Sequence, residues 1–237
     1  MVGSQNLNIS NSLSIHFNAE GFSLSLFDEA NQLISTKKVT TVLFLKAQNE
    51  IEKIILQETE SLRDIKNVRL ICESDTYTFV PSAIFQPENA SAFLISNDNH
   101  DKNFQIIYNE IPQWDAVNVF SISKTLKESL SSLFPNTPIE HHVSYFFMEK
   151  IKRYGNDGVQ IWIRPKIMDV VVIKNGGIEL VNHFTYQTPE DFTYFTLNVF
   201  DQLSLDIENC EVKLYNSVKH IEIQNNIRKY INHVTVE

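Results

Sequence analysis

Glycine is scarce in this sequence, with six residues in a chain of 237. Phosphate-binding loops of the P-loop type need closely spaced glycines so that backbone N–H groups can surround the phosphates. No such loop occurs, and the chain also lacks the Gly-x-Ser-x-Gly elbow of serine hydrolases and the Cys-x-x-Cys pair of redox proteins. These absences exclude several of the common enzyme classes.

Cysteine is rarer still, and the two residues, Cys72 and Cys210, lie far apart in apolar runs. This pattern predicts two buried, reduced thiols in a cytoplasmic protein, and nothing in the sequence supports a disulfide between them. No apolar run approaches the ~20 residues that cross a bilayer. The opening stretch (1–14) has neither a cationic region nor an apolar core, so we expect no secretory signal and no membrane insertion.

Basic residues are outnumbered, because 20 Lys and Arg face 29 Asp and Glu, for a net charge of -9. Nucleic-acid binding needs clustered cations to contact phosphates, so a general nucleic-acid binder is excluded. A hydrophobic content of 43% is that of an ordinary globular protein. We expect the partner to be another protein.

What the sequence does contain is regular alternation of apolar and polar residues. In the first half, "LSIHFNA" (13–19), "FSLSLFD" (22–28) and "LISTKKVTT" (33–41) alternate with the period of half-buried strands. An amphipathic helix, "NEIEKIILQETESL" (49–62), and a further strand, "NVRLICES" (67–74), follow. The first half is thus predicted to be an antiparallel meander, a helix and a strand.

The second half repeats this order. Three strands are predicted at "VQIWIRP" (159–165), "MDVVVIKN" (168–175) and "IELVNHFTY" (178–186). A helix then begins at Thr188, an N-cap residue followed by proline and two acidic residues. The strand "CEVKLYN" (210–216) follows it.

The two halves correspond turn by turn, with first turns near residues 20 and 166 and second turns near 30 and 175. Such an internal repeat indicates two related domains with mixed α/β sheets, which we place at 1–122 and 123–237.

Four stretches carry a resemblance to a known fold. Three antiparallel strands, a helix and a further strand, given twice, resemble the duplicated ribonuclease-H-like domains of the actin-like ATPase fold, found in actin, sugar kinases and Hsp70 chaperones. The chain is similar in particular to an uncharacterised family of Bacteroidetes that has this fold and no assigned function. The motifs are strand, turn and cap signatures, so the resemblance implies a fold and no catalytic residue. They are "LSIHFNAEGFSLSLFD" (13–28), "YTFVPSAIFQPENASAFL" (77–94), "WDAVNVFSI" (114–122) and "VVVIKNGGIELVNHFTYQTPEDFTYFTLNVFDQLSL" (170–205).

The resemblance implies where a nucleotide would bind. Actin-like ATPases hold phosphates between two hairpin loops, one at the first turn of each domain, usually with an Asp-x-Gly pattern whose carboxylate positions hydrated Mg²⁺. Here Asn18 stands where the aspartate is expected, and Gly21 follows three residues later. A neutral amide lacks the charge that holds Mg²⁺.

The matching turn of the second half, "IRPKIMDVV" (163–171), has no glycine. Pro165 removes a backbone donor there, while Arg164 and Lys166 could meet an anion. The family's glycine-rich adenosine-binding segment is also missing. If a nucleotide binds between the domains, the candidate residues are Asn18, Gly21, Arg164 and Lys166; we predict no catalytic residue, no metal site and no cofactor.

Two other features have simpler interpretations. Asn175 and Gly176 suit the positive-φ positions of a tight hairpin turn, at the end of the sheet opposite to the phosphates of an actin-like domain. His141 and His142 are adjacent on a predicted helix (139–154), so they point about 100° apart and cannot share a metal; we expect both at the surface or the core edge.

Aromatic residues are numerous, with 16 Phe and eight Tyr. On the helix that begins at Thr188, Tyr194 and Phe200 are predicted to lie off the side that faces the sheet, where they would contact the other domain or a partner.

The preferred hypothesis is a non-catalytic actin-like scaffold or adaptor with degenerate phosphate loops. The alternative is a divergent ATP-binding actin-like ATPase or kinase that uses the interdomain cleft. A nuclease would need several carboxylates that hold two metals, whereas the polar face of the first strand offers Ser14, His16 and Asn18. A homodimer is left open.

Overall fold

The structure, a computed structural model, describes residues 12–62, 65, 67–94, 102–151, 157–215 and 220–237. In this part of the chain, no helix is long and apolar enough to cross a membrane. The strands and helices, in chain order, are β1 (Ser12–Asn18), β2 (Gly21–Phe27), β3 (Leu33–Thr40), α1 (Gln48–Thr59), β4 (Asn67–Cys72), β5 (Tyr77–Pro81), β6 (Phe104–Ile111), β7 (Ala116–Ser123), α2 (Lys124–Leu133), β8 (Ile139–His141), α3 (His142–Glu149), β9 (Gly158–Arg164), β10 (Ile167–Lys174), β11 (Gly177–Thr185), α4 (Pro189–Gln202), β12 (Val212–Tyr215), α5 (Ile221–Ile227) and β13 (Val234–Val236).

The chain divides into two compact units, Met1–Ile111 with Val117–Phe146 and Pro112–Ala116 with Phe147–Glu237. Each unit has a five-stranded sheet, in the orders β3-β2-β1-β4-β8 and β11-β10-β9-β12-β13. In both sheets the first three strands are an antiparallel meander, and the strand after the helix pairs parallel with the first strand. The repeat predicted from the turns is therefore a repeat of sheet topology.

The core of the first unit lies on one side of its sheet. Alternate residues of β1, Leu13, Ile15 and Phe17, are buried against Ile55 of α1 and Leu130 of α2. Their polar neighbours in the strand face the other side, as the period-2 pattern requires. Each fully buried aliphatic side chain contributes about 1.5–3 kcal/mol to folding.

This unit also contains a three-stranded sheet in the order β5-β7-β6. A 3-10 helix, Pro87–Leu94, packs on it, with Val80, Ala90, Val117 and Val119 as its buried centre.

In the second unit, Val159, Ile161 and Ile163 of β9 face a core that includes Phe192 of α4 and Ile227 of α5. After β12 the chain forms α5, which ends at Ile227, and then β13, which pairs parallel with β12.

The compact units differ from the halves 1–122 and 123–237 in two respects, the first of which is that Pro112–Ala116 groups with the second unit. Residues 123–146 group with the first unit, because α2 packs against α1 and β8 pairs with β4. The helix predicted at 139–154 is replaced by β8 and α3; residues 152–154 lie outside the described part of the chain.

Helix α4 begins as predicted. The Thr188 hydroxyl accepts the N–H of Asp191 at 3.1 Å, and the Asp191 carboxylate accepts the N–H groups of Gln187 and Thr188, which complete a capping box. These donors lower the pKa of Asp191. Tyr194 is 64% exposed, whereas Phe200 is buried in the core of its own unit, so the prediction that Phe200 contacts the other domain or a partner was wrong.

Removing this cap has a measurable cost. Thr188→Ala is expected to lower the free energy of unfolding by ~1 kcal/mol, because the Asp191 N–H loses its acceptor. Urea denaturation measures the change, and Thr188→Ser, which keeps the hydroxyl, is the control expected to retain most of the stability. Equal losses in the two variants would contradict the assignment of the cap.

Candidate functional site

The first hairpin turn, between β1 and β2, uses its own polar groups. The Oδ1 atom of Asn18 accepts the N–H of Glu20 at 3.0 Å, and the carbonyl of Glu20 accepts the N–H of Thr41 at 2.8 Å. The Glu20 carboxylate pairs with Lys38 at 2.7 Å. The side chain predicted to stand where Mg²⁺ is held therefore shapes the turn.

Gly21 has a structural reason of its own. Its φ is +141°, and a Cβ at this position would overlap the carbonyl oxygen of Val39 on β3. The absence of a side chain at Gly21 lets β3 lie close to the turn, whereas the sequence interpretation was that it lets the backbone approach a phosphate.

The first hairpin turn of the second unit, between β9 and β10, places Pro165 before Lys166, whose φ is +63°. This order suits a type II turn, in which proline precedes a positive-φ residue. Lys166 is exposed. Its carbonyl accepts the N–H of Tyr186 at 2.9 Å, and the Tyr186 hydroxyl donates to the Arg164 carbonyl at 3.0 Å.

Arg164 is buried and ion-paired. Its Nε lies 2.7 Å from Oδ2 of Asp169, and its Nη2 lies 3.1 Å from Oδ1 of the same carboxylate. Asp169 is fully buried, on the next strand of the hairpin. This two-point pairing neutralises the guanidinium that the sequence offered to an anion.

The four candidate residues thus fall into two pairs, Asn18 with Gly21 in the first unit and Arg164 with Lys166 in the second. Asn18, Gly21 and Arg164 each have a local structural role, and Lys166 presents an exposed ammonium. Sequence reasoning located both turns but missed Asp169, whose only signal was its position five residues after Arg164.

The Asn-Gly-Gly hinge between β10 and β11 is a tight turn, with φ of 54° at Asn175 and 71° at Gly176. The Asp157 carboxylate accepts the N–H of Asn175 at 2.7 Å and that of Gly176 at 3.2 Å. These donors bind the chain's own carboxylate, and the positive-φ prediction is confirmed.

Further polar pairs line the sheet of the first unit on the side opposite its core. His16 lies 3.2 Å from Glu73, and Arg69 lies 3.2 Å from Glu140. Among the described residues, no group of three His, Cys, Asp or Glu is placed to hold a metal ion.

Buried polar residues also occur in the second sheet, where the Tyr215 hydroxyl donates to Oε1 of Gln160 at 2.9 Å. Burial, with added repulsion from Glu237 and Glu211, raises the pKa of Tyr215 to about 12. Ionisation of this phenol is opposed within the fold.

This shift predicts a loss of stability at alkaline pH. The unfolded state releases the Tyr215 proton near its ordinary pKa of 10, whereas the folded state keeps it to about 12. The contribution is complete below pH ~10 and is lost as the pH rises toward 12. Unfolding measured across this range should depend less on pH in Tyr215→Phe, whereas Tyr194→Phe, at an exposed position, should behave as wild type.

The histidines were misplaced by sequence reasoning. His141 ends β8 and His142 begins α3, and both are buried. The Nε2 of His141 lies 3.0 Å from the Ser74 carbonyl, so it carries the proton, and its Nδ1 accepts from Asn118 at 2.9 Å. Asn118 also donates to the Ser144 hydroxyl at 2.9 Å. This network joins β7, β8 and the segment after β4, and no local sequence pattern predicts it.

The two cysteines are free thiols, Cys72 buried and Cys210 half-buried. Burial raises the pKa of both, with a further contribution from Glu73 at Cys72. Neither thiol has the lowered pKa of a nucleophile.

Comparison with known proteins identifies the family. Residues 4–234 match a family described as "Protein of unknown function (DUF3822)". The chain belongs to this family. No curated protein matches it.

Two solved structures establish the fold of this family member. A protein from Bacteroides thetaiotaomicron, described as having an actin-like ATPase fold and unknown function, is 25% identical, with a TM-score of 0.82 over 99% of this chain and 94% of the other. The ethanolamine utilization protein EutJ from Carboxydothermus hydrogenoformans is 9% identical, with a TM-score of 0.52 over 98% and 86%. The predicted resemblance, to a Bacteroidetes family with the actin-like ATPase fold, is confirmed, and the match assigns no catalytic activity.

Proposed function

We propose that the protein is a non-catalytic scaffold or adaptor that acts in the cytoplasm by binding another protein. The observation that carries this proposal is the pairing of Arg164 with Asp169. A guanidinium held by two hydrogen bonds in a buried site would have to break that pair before it could meet a phosphate.

The first turn supports the same conclusion. Asn18 supplies no negative charge for Mg²⁺, and its amide oxygen is committed to Glu20. At the corresponding turn of the second unit, between β9 and β10, Pro165 offers no N–H to a phosphate. The net charge of -9 further disfavours polyanionic partners such as nucleic acids.

Calorimetry tests the proposal directly. ATP and ADP, each with and without Mg²⁺, are expected to show no sub-millimolar binding. The reason is that, within the described turns 18–21 and 164–167, Lys166 alone carries an exposed positive charge. A thermal-shift measurement with the same ligands should show no stabilisation.

Sub-millimolar nucleotide binding would contradict the scaffold proposal. Lys166→Ala then decides the alternative: if binding is lost, the exposed ammonium serves a divergent nucleotide site. Lys174→Ala, an exposed lysine at the other end of β10, is the matched control.

A further inference from the structure

The tight turn between β10 and β11 contains an asparagine followed by a glycine, Asn175 and Gly176, and the sequence has this pair once. Such a pair is chemically reactive, because glycine has no side chain to hinder its own backbone nitrogen. In the reaction the Gly176 nitrogen bonds to Cγ of Asn175 and gives up its proton, and the side-chain amide leaves as ammonia. Water then opens the resulting succinimide ring to aspartate or isoaspartate.

The conformation of the turn opposes this ring closure. Lys174 pairs with Gly177, so the turn has two residues, and the positive φ values of Asn175 and Gly176 are those of a type I′ turn. In this turn type, ψ of the first residue is about +30°, the mirror image of type I. The following nitrogen then lies on the side of the Cα–C bond away from Cβ, whereas the ring requires it beside Cβ. Asn175 must therefore leave the turn conformation before it can react.

A carboxylate holds the turn in this conformation. Asp157 comes directly before β9, whose first residue, Gly158, lies opposite Ile173 next to the turn. Its Oδ2 atom accepts the N–H of Asn175 at 2.7 Å, and its Oδ1 atom accepts the N–H of Gly176 at 3.2 Å. The second bond involves the nitrogen that would attack. A carboxylate beside that nitrogen disfavours the negative charge that it acquires when its proton leaves.

We propose that Asn175 is a deamidation site whose reaction is suppressed by the carboxylate of Asp157. The Asn175 side chain is exposed, so the protection comes from the two hydrogen bonds and not from exclusion of water. Either product would weaken the hairpin. Isoaspartate lengthens the main chain of a two-residue turn by a carbon atom, and aspartate places a second carboxylate beside Asp157. This proposal goes beyond the proposed function and does not depend on it.

Peptide mapping by mass spectrometry, after incubation in mildly alkaline buffer, measures the deamidation rate at Asn175. In the folded wild type this rate is expected to be lower by about tenfold or more than in the same chain unfolded in urea, because leaving the turn breaks hydrogen bonds to a charged group. Asp157→Ala is expected to raise the rate in the folded chain by about tenfold. Asp157→Asn keeps an oxygen acceptor without the charge, so its rate should lie between the two, and it decides the matter if Asp157→Ala does not fold.

Two control variants separate this effect from a general loss of stability. Asp206→Ala removes a carboxylate that accepts the N–H of Glu208 in another turn of the same unit. Thr188→Ala weakens the cap of α4, beyond the far end of β11. Both should deamidate at Asn175 at the wild-type rate, with circular dichroism showing that each variant is folded. A folded wild type that reacts as fast as the unfolded chain, Asp157 variants no faster than wild type, or controls accelerated as much as Asp157→Ala would each overturn the proposal.

Discussion

Asp169→Ala is expected to lower the free energy of unfolding by about 3–5 kcal/mol, one of the largest effects of any single substitution in this chain. The substitution leaves the Arg164 guanidinium buried without the carboxylate that accepts its Nε–H and Nη2–H. An uncompensated charge in a buried site costs this much because water cannot replace the lost partner. Chemical denaturation with a two-state fit measures the loss.

A double variant separates the pair from the packing around it. Arg164→Met combined with Asp169→Leu removes both charges and retains most of the volume, so its stability should lie close to that of the wild type. Lys213→Ala, which disrupts the more exposed pair with Glu211, is the matched control and should cost at most about 1 kcal/mol. If Asp169→Ala were no more costly than this control, Arg164 would not depend on Asp169.

This experiment also bears on function. If Arg164 is bound as tightly as the geometry indicates, freeing it for an anion would cost most of the energy that the pair supplies. The interactions of a ligand with Arg164 would have to supply at least that much free energy for binding to be measurable. The stability of the pair and the absence of nucleotide binding are therefore linked predictions, each measured in a different assay.

Local chemistry made much of the fold predictable. Positive φ at Asn175 and Gly176 requires small or amide residues, and the Thr188 cap requires a hydroxyl three residues before an acid. Alternation along β1 and β2 fixed which face is buried. These features depend on neighbours within a few residues, so the sequence displays them directly.

Contacts between distant segments were not predictable in this way. Residues Ile139–His141 form β8 only because they pair with Leu70–Cys72, about seventy positions earlier. The local apolar pattern there continues into α3 and suggested one longer helix. The burial of His141 follows from that pairing and from Asn118, neither of which leaves a local signal.

The candidate site shows the same division. The positions of both hairpin turns followed from periodicity, whereas the roles of their side chains did not. Arg164 looked like a solvated cation because the sequence gives no sign that Asp169 lies beside it on the next strand. Gly21 looked available to a ligand because its approach to β3 depends on a strand pairing across twenty residues.

Gly21→Ala distinguishes these two uses of the glycine. The substitution is expected to lower the free energy of unfolding by about 2–5 kcal/mol, since alanine strains the backbone at a φ of +141° and its Cβ overlaps the Val39 carbonyl. The cost arises without any ligand, because β3 must move away from β2 or the turn must change shape. Thermal and urea denaturation should both report it.

Gly177→Ala is the matched control. Gly177 also lies at the start of a hairpin strand, but its φ is not positive and an added Cβ would only touch the Lys174 carbonyl at 3.5 Å. Its stability should stay within about 1 kcal/mol of the wild type. A Gly21→Ala variant as stable as this control would show that the turn tolerates a side chain, and the glycine would then again be available for a role at the phosphate position. A large difference between the two variants would instead tie Gly21 to the packing of β3 and remove the last glycine that the phosphate interpretation relied on.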